Sequence, residues 1–259
     1  MLRKSDTWRC DMKDFTLEVC VDSVESALAA EKGGAERIEL CSALVIGGIT
    51  PSPSLFKAIR KASKIKINVL IRPRFGDFCY SEDEFENILE DVKLFRNLGA
   101  DGVVVGCLLP DGNLDFERMK LLKEAAGPLF VTLHRAFDMC LDPIKTINQC
   151  KEIGINTILT SGQKDNCLLG AENLAKFVKE ASSQVDILAG GGISASVIKE
   201  IQPKTGVTNF HMSGKITQNS QMIYRKEEVH MGLPSLSEYE IWKTDSTKIA
   251  EAYEVLKAL

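Results

Sequence analysis

Two segments near the start of the chain end alike, in Glu-apolar-Cys: Thr16-Leu17-Glu18-Val19-Cys20 and Arg37-Ile38-Glu39-Leu40-Cys41. In an extended strand, residues two apart face the same way. Each segment therefore aims a carboxylate and a thiol at one face and an apolar residue at the other. Set side by side as parallel strands, the two bring a pair of carboxylates and a pair of thiols to one end of one sheet. An unpaired buried polar group costs roughly 1–3 kcal/mol. Such a convergence points to chemistry, either proton transfer by the carboxylates or capture of a soft metal ion by the thiols.

The elements that must position these groups alternate along the whole chain. Short apolar or alternating runs predict strands at 16–20, 36–40, 66–71, 102–106, 129–134, 156–160, 185–189 and 208–212. Helical patterns lie between them, at 24–30, 82–98, 115–126, 142–153, 171–182 and 194–201, with a last one at 245–257. Asp22 or Ser23 is placed to cap the first, and Ser81 with Glu84 forms a capping box for the second. Gly33, Gly99 and Gly154 recur just before strands, where glycine ends a helix and turns the chain. About eight βα units in 259 residues fit a closed (β/α)8 TIM-type barrel of the α/β class. The runner-up is an open doubly wound sheet, which would carry a glycine-rich phosphate fingerprint after its first strand; none follows Cys20. The expected organisation is a polar N-terminal extension over 1–14 and a single barrel domain over 15–259. Residues 216–243 are expected to form a long loop or subdomain.

Barrel sites form at the C-terminal ends of the strands. Read there, the chain offers Glu18, Cys20, Glu39, Cys41, Arg72, Arg74, His134 and His211, with Arg135, Asp138, Thr160 and Ser161 beside them. Alternation turns Glu18, Glu39, Arg72, His134 and His211 inward together. A Glu18–Arg72 ion pair in a polar layer is the structural alternative for two of these. Gly190-Gly191-Gly192, after the seventh strand, and Ser213 after the eighth, sit where backbone N–H groups and a helix N-terminus favour an anion. The candidate anion-binding set is therefore Arg72, Arg74, Gly190, Gly191, Gly192, His211 and Ser213.

Composition narrows the function. The net charge of −4 provides no basic field for nucleic acid or anionic membrane. No run approaches the apolar length of a membrane span. The first residues lack an apolar stretch of signal-peptide length. A cytoplasmic location is expected, with the nucleus left open. Eight cysteines without CxxC pairs or regular spacing are expected to be reduced thiols.

The motifs in combination resemble one family. Glu18-Val19-Cys20-Val21-Asp22-Ser23, Arg37-Ile38-Glu39-Leu40-Cys41-Ser42, Gly47-Gly48-Ile49-Thr50-Pro51-Ser52, Ile71-Arg72-Pro73-Arg74 with Gly76-Asp77-Phe78, and His134-Arg135-Ala136-Phe137-Asp138 are similar to the CutC copper-homeostasis family. Leu159-Thr160-Ser161-Gly162, Gly190-Gly191-Gly192-Ile193 and Phe210-His211 extend the match. The resemblance implies a barrel, a cytoplasmic place, a role in copper handling and self-association into a homo-oligomer. It also implies Cu(I) bound through the cysteines of the two Glu-apolar-Cys motifs, here Cys20 and Cys41. Ala43 stands where the family usually has glycine.

Two functions therefore stand side by side, and the sequence leaves open whether the chain is an enzyme. One is a copper-binding protein, with the two thiols on adjacent strands about 4.8 Å apart holding the ion. The other is a barrel enzyme doing acid–base chemistry on a small anionic metabolite, a phosphorylated one included. In it Glu18, Glu39 or His134 moves protons and the arginines and glycine turn bind the anion. A third reading is a non-catalytic interaction protein on an inherited barrel.

Overall fold

A computed structural model describes residues 15–226, 228–232 and 235–259. The expected extension over 1–14 lies outside the described residues. The elements run β1 (Thr16–Val21), α1 (Val24–Lys32), β2 (Arg37–Leu40), α2 (Pro53–Ala62), β3 (Lys66–Leu70), α3 (Glu82–Asn97), β4 (Gly102–Val105), α4 (Phe116–Ala126) and β5 (Phe130–Leu133). They continue with α5 (Pro143–Ile153), β6 (Thr157–Thr160), α6 (Ala171–Ala181), β7 (Asp186–Ala189), α7 (Ala195–Thr205), β8 (Asn209–Met212), β9 (Lys215–Asn219), β10 (Glu240–Thr244) and α8 (Ser246–Ala258). Strands β1 to β8 pair in sequence order and β8 closes on β1, all parallel. The fold is the (β/α)8 barrel expected from the alternating pattern.

Alternation along the strands separates two interiors. Leu17, Val19, Val21, Ile38, Leu40, Ile67 and Val69 face outward and join the main core under the helices. The inward set is polar at several levels, with Glu18, Asn68, Thr132 and Thr157 fully or almost fully buried. A small apolar cluster of Cys41, Leu70 and Val104 fills part of the barrel interior, with Leu44 against it.

Local signals formed as read. Ser23 caps α1 by accepting from the Ser26 N–H, and the Ser81–Glu84 capping box at α3 is complete. Helix α2 was not expected. Its Ser-Pro start reads as a turn, although Ser52 caps it and Pro53 sits at its first position, where a missing N–H costs nothing. Phe56 and Ile59 of α2 are buried, three residues apart on one face, the spacing of an amphipathic helix. The stretch after β8 is more ordered than a loop: β9 and β10 pair antiparallel across it, Trp242 opposite Thr217. Among the described residues no helix is long and apolar enough to cross a membrane.

Candidate metal and ligand site at the barrel mouth

The registers of three neighbouring strands assemble the first cluster. β1 pairs β2 with Cys20 opposite Glu39 and Glu18 opposite Arg37; on its other side β1 pairs β8 with Glu18 opposite His211. Glu18 is thus set between Arg37 and His211, fully buried. The Arg37 Nε donates to Glu18 Oε2 at 2.5 Å, the His211 Nδ1 lies 2.8 Å from Oε1, and Asn68 Nδ2 reaches Oε2 at 3.4 Å. The guanidinium of Arg37 also lies over the Phe130 ring, 4.9 Å from its centroid. The expected Glu18–Arg72 pair therefore does not form. Register makes Arg37 the partner, two residues before Glu39 and hence on the same inward face, a signal the alternation already contained.

The electrostatics follow from this packing. Burial alone would raise the Glu18 carboxyl, but Arg37 and the His211 hydrogen bond outweigh it and hold the group down to about 2. Glu39 lacks such a partner. Burial pushes it up to about 7, with the Glu18 charge adding to the rise and His211 opposing it. Burial works against a charged His211, yet Cys20, Glu39 and the Glu18 hydrogen bond together keep its imidazolium form well above the usual range.

With Nδ1 turned to Glu18, the other ring nitrogen of His211 faces the mouth, 3.7 Å from Glu39 Oε2. One donor atom each from Cys20, Glu39 and His211 lie within 4.8 Å of one another. This is the one such donor cluster among the described residues. Cys41 is not part of it. Its thiol is fully buried in the barrel's apolar cluster and donates to Val21 O at 3.4 Å, and burial pushes its ionisation well above the usual thiol range. Cys20 is nearer the mouth, its Sγ 3.6 Å from Met212 O. Both thiols are free.

A cavity of about 560 Å³ opens above this cluster, with Cys20, Glu39 and His211 on one side and Arg72 and His134 among its other walls. Gly191, Gly192 and Ser213 line it too; Glu18, Cys41, Arg74 and Gly190 do not. Glu18 lies beneath its floor. Arg74 is already neutralised, its Nε 2.5 Å from Glu84 Oε1 and its Nη2 3.0 Å from Asp77 Oδ1. Gly190 turns towards Leu159 and His211, where an added Cβ would meet Leu159 at 2.7 Å.

His134 is buried, and its Nδ1 accepts the Ala136 N–H at 3.2 Å. Burial, then the nearby Arg72 charge, hold its ionisation down to about 3. It stays neutral through the physiological range and is suited to donating a hydrogen bond rather than moving a proton. Phe78, which the sequence offers only as part of a motif, packs against both Arg72 and His134. Asp138 ties the mouth loops together, accepting from the Ser161 and Gln163 N–H groups and from Arg135 Nε. Ala43 has φ 54, the left-handed region that favours glycine.

Comparison with known proteins follows the same motifs. The sequence model of the CutC family matches residues 15–216, ending as β9 begins. A family protein CutC of Parabacteroides distasonis is 44% identical over 235 residues, covering 90% of this chain and 97% of that protein. A copper homeostasis protein cutC homolog of Homo sapiens is 41% identical over 244 residues, covering 94% and 89%. Among solved structures, a Streptococcus agalactiae chain described as a copper homeostasis protein CutC superposes with a TM-score of 0.73 at 29% identity, covering 77% of this chain and 98% of that one. Extent and identity of these matches, on a barrel that brings both Glu-apolar-Cys motifs to one mouth, establish that the chain belongs to the CutC family.

Proposed function

We propose that this chain takes part in copper homeostasis by binding Cu(I) at the floor of the barrel mouth, with the Cys20 thiolate and the His211 imidazole as ligands. The observation that carries this reading is the convergence of Cys20, His211 and Glu39 donor atoms within 4.8 Å. Thiolate is a soft ligand and imidazole a borderline one, and both suit Cu(I); a carboxylate is hard and suits it poorly. Glu39 then sets the charge beside the ion rather than holding it. Glu18 supports the site from below. A carboxylate on the far nitrogen of a ligating histidine fixes the ring and raises its basicity, and Glu18 stands there at 2.8 Å. The ion binds a thiolate and a neutral imidazole, so capture of copper releases the Cys20 thiol proton and any proton that the Glu18 side of the site holds on His211.

Family resemblance pairs Cys20 with Cys41, whereas the donor cluster pairs Cys20 with His211. Competition titration against a chromophoric Cu(I) chelator, under reducing conditions, separates the two. Cys20→Ser is expected to weaken Cu(I) binding about a hundredfold, or about 2.7 kcal/mol. Cys41→Ser is expected to change it less than about threefold, since its thiol is packed against Leu70 and Val104 and lies outside both the donor cluster and the cavity wall. Equal large losses in both variants would establish the two-thiol site instead. Unchanged affinity in both would remove copper from this mouth.

A further inference from the structure

Arg72 is the one buried arginine among the described residues, 8% exposed. It also differs from four other arginines of the barrel, each of which meets a carboxylate. Arg37 meets Glu18, Arg74 meets Glu84, Arg118 meets Asp115 and Arg135 meets Asp138. Arg72 has no carboxylate partner among the described residues. Its Nη1 donates to the carbonyls of Gly47 and Gly48 at 3.4 and 3.1 Å, and its Nη2 to the Gly76 carbonyl at 2.8 Å. These bonds orient the guanidinium but leave its charge unbalanced, and its Nε has no hydrogen-bond partner. Tyr80 stands near it as a neutral phenol, pushed above its usual range by burial, and adds no counter-charge. A buried cation without a counter-ion is costly.

His134 has the matching deficit. Its Nδ1 is occupied by the Ala136 N–H, so in the neutral ring the proton sits on Nε2. That Nε2 is buried and has no acceptor. The two side chains contact one ring: the Arg72 guanidinium lies 4.9 Å from the Phe78 centroid, and the His134 ring lies 4.7 Å from it. Gly106 permits this placement, since a Cβ there would meet the imidazole at 2.5 Å. Both residues and Phe78 line the 560 Å³ cavity, a volume in the range that holds a small organic molecule.

We propose that the Arg72–His134 wall binds the anionic end of a small organic molecule, a carboxylate or a phosphate ester, within the same mouth as the Cys20 cluster. The anion balances Arg72 and accepts the His134 Nε2 hydrogen, and the apolar part lies against Phe78. A metal role alone leaves all three residues unexplained. The proposal does not depend on copper, and the two are read in separate assays.

The test is calorimetric titration of the full chain with malonate and with inorganic phosphate, at matched ionic strength, using malonamide as the uncharged control. The wild type is expected to bind at least one of the two anions, one per chain, and not malonamide. Arg72→Gln is expected to weaken that binding about tenfold or more, and His134→Phe, which keeps a flat ring but no donor, about threefold to tenfold. Arg72→Gln should leave Cu(I) binding unchanged, and Cys20→Ser should leave anion binding unchanged. If Arg72→Gln does not fold, His134→Phe decides. The proposal is overturned if neither anion binds the wild type up to about 10 mM, if malonamide binds equally, or if His134→Phe binds the anion as well as wild type (an adventitious ion only).

Discussion

Glu18→Ala is expected to destabilise the barrel by about 3–5 kcal/mol, the range seen when one member of a buried ion pair is removed. Glu18 is the one carboxylate within ion-pair distance of Arg37 among the described residues, at 2.5 Å, and it also holds His211 at 2.8 Å. Truncation leaves a guanidinium against Phe130 and an imidazole 3.7 Å from Glu39, without the hydrogen bonds that the lost oxygens accepted. Denaturant unfolding at neutral pH measures the effect; a loss below about 1 kcal/mol would show that water or a neighbour takes over. The sign of the pH dependence follows from the depressed ionisation. An unhindered glutamate titrates near 4.5 and Glu18 in the folded chain near 2. Its contribution, about 3 kcal/mol, is complete above 4.5 and is lost as pH falls through 2. Glu18→Ala should therefore erase part of the wild type's acid sensitivity as well as its stability.

Glu39→Gln should do the opposite, and only on one side of neutrality. Burial holds the folded Glu39 near 7 against 4.5 for the free side chain. Between those values the folded chain binds more protons than the unfolded one, so stability falls as pH rises from 4.5 through 7. Above 7 the ionised carboxylate costs about 3 kcal/mol. Gln has no charge to bury. The variant should unfold like wild type near pH 4.5 and be more stable than wild type by up to about 3 kcal/mol at pH 8. Unfolding curves at the two pH values test this; equal stability at pH 8 would mean that Glu39 is not a strained carboxylate. A group kept at such a cost at the edge of a cavity is the usual mark of a functional residue.

Much of this arrangement was legible in the residues. The βα rhythm gave the barrel, and strand alternation gave the inward set of Glu18, Glu39, Arg72, His134 and His211. Alternation alone does not give the register, and register decides partners. It set Glu18 opposite Arg37 and His211 rather than near Arg72. It also joined Cys20 to Glu39 and His211, while Cys41 went to Leu70 and Val104. Two thiols with the same local motif thus have different surroundings, a distinction no spacing rule contains. Arg74 shows a related limit. It follows Arg72 by two residues and carries the same charge, yet the capping-box residue Glu84 claims it from the next helix. The order of β9 and β10 was hidden because their residues are largely exposed and polar, with no core-facing alternation to mark them.

X-ray absorption at the copper edge, on the Cu(I)-loaded full chain, tests the central claim most directly. The account predicts one sulfur scatterer and one nitrogen scatterer at copper, with the sulfur lost in Cys20→Ser, the nitrogen lost in His211→Ala, and neither changed in Cys41→Ser. A shell of two sulfurs, or a spectrum of Cys20→Ser indistinguishable from wild type, would contradict it.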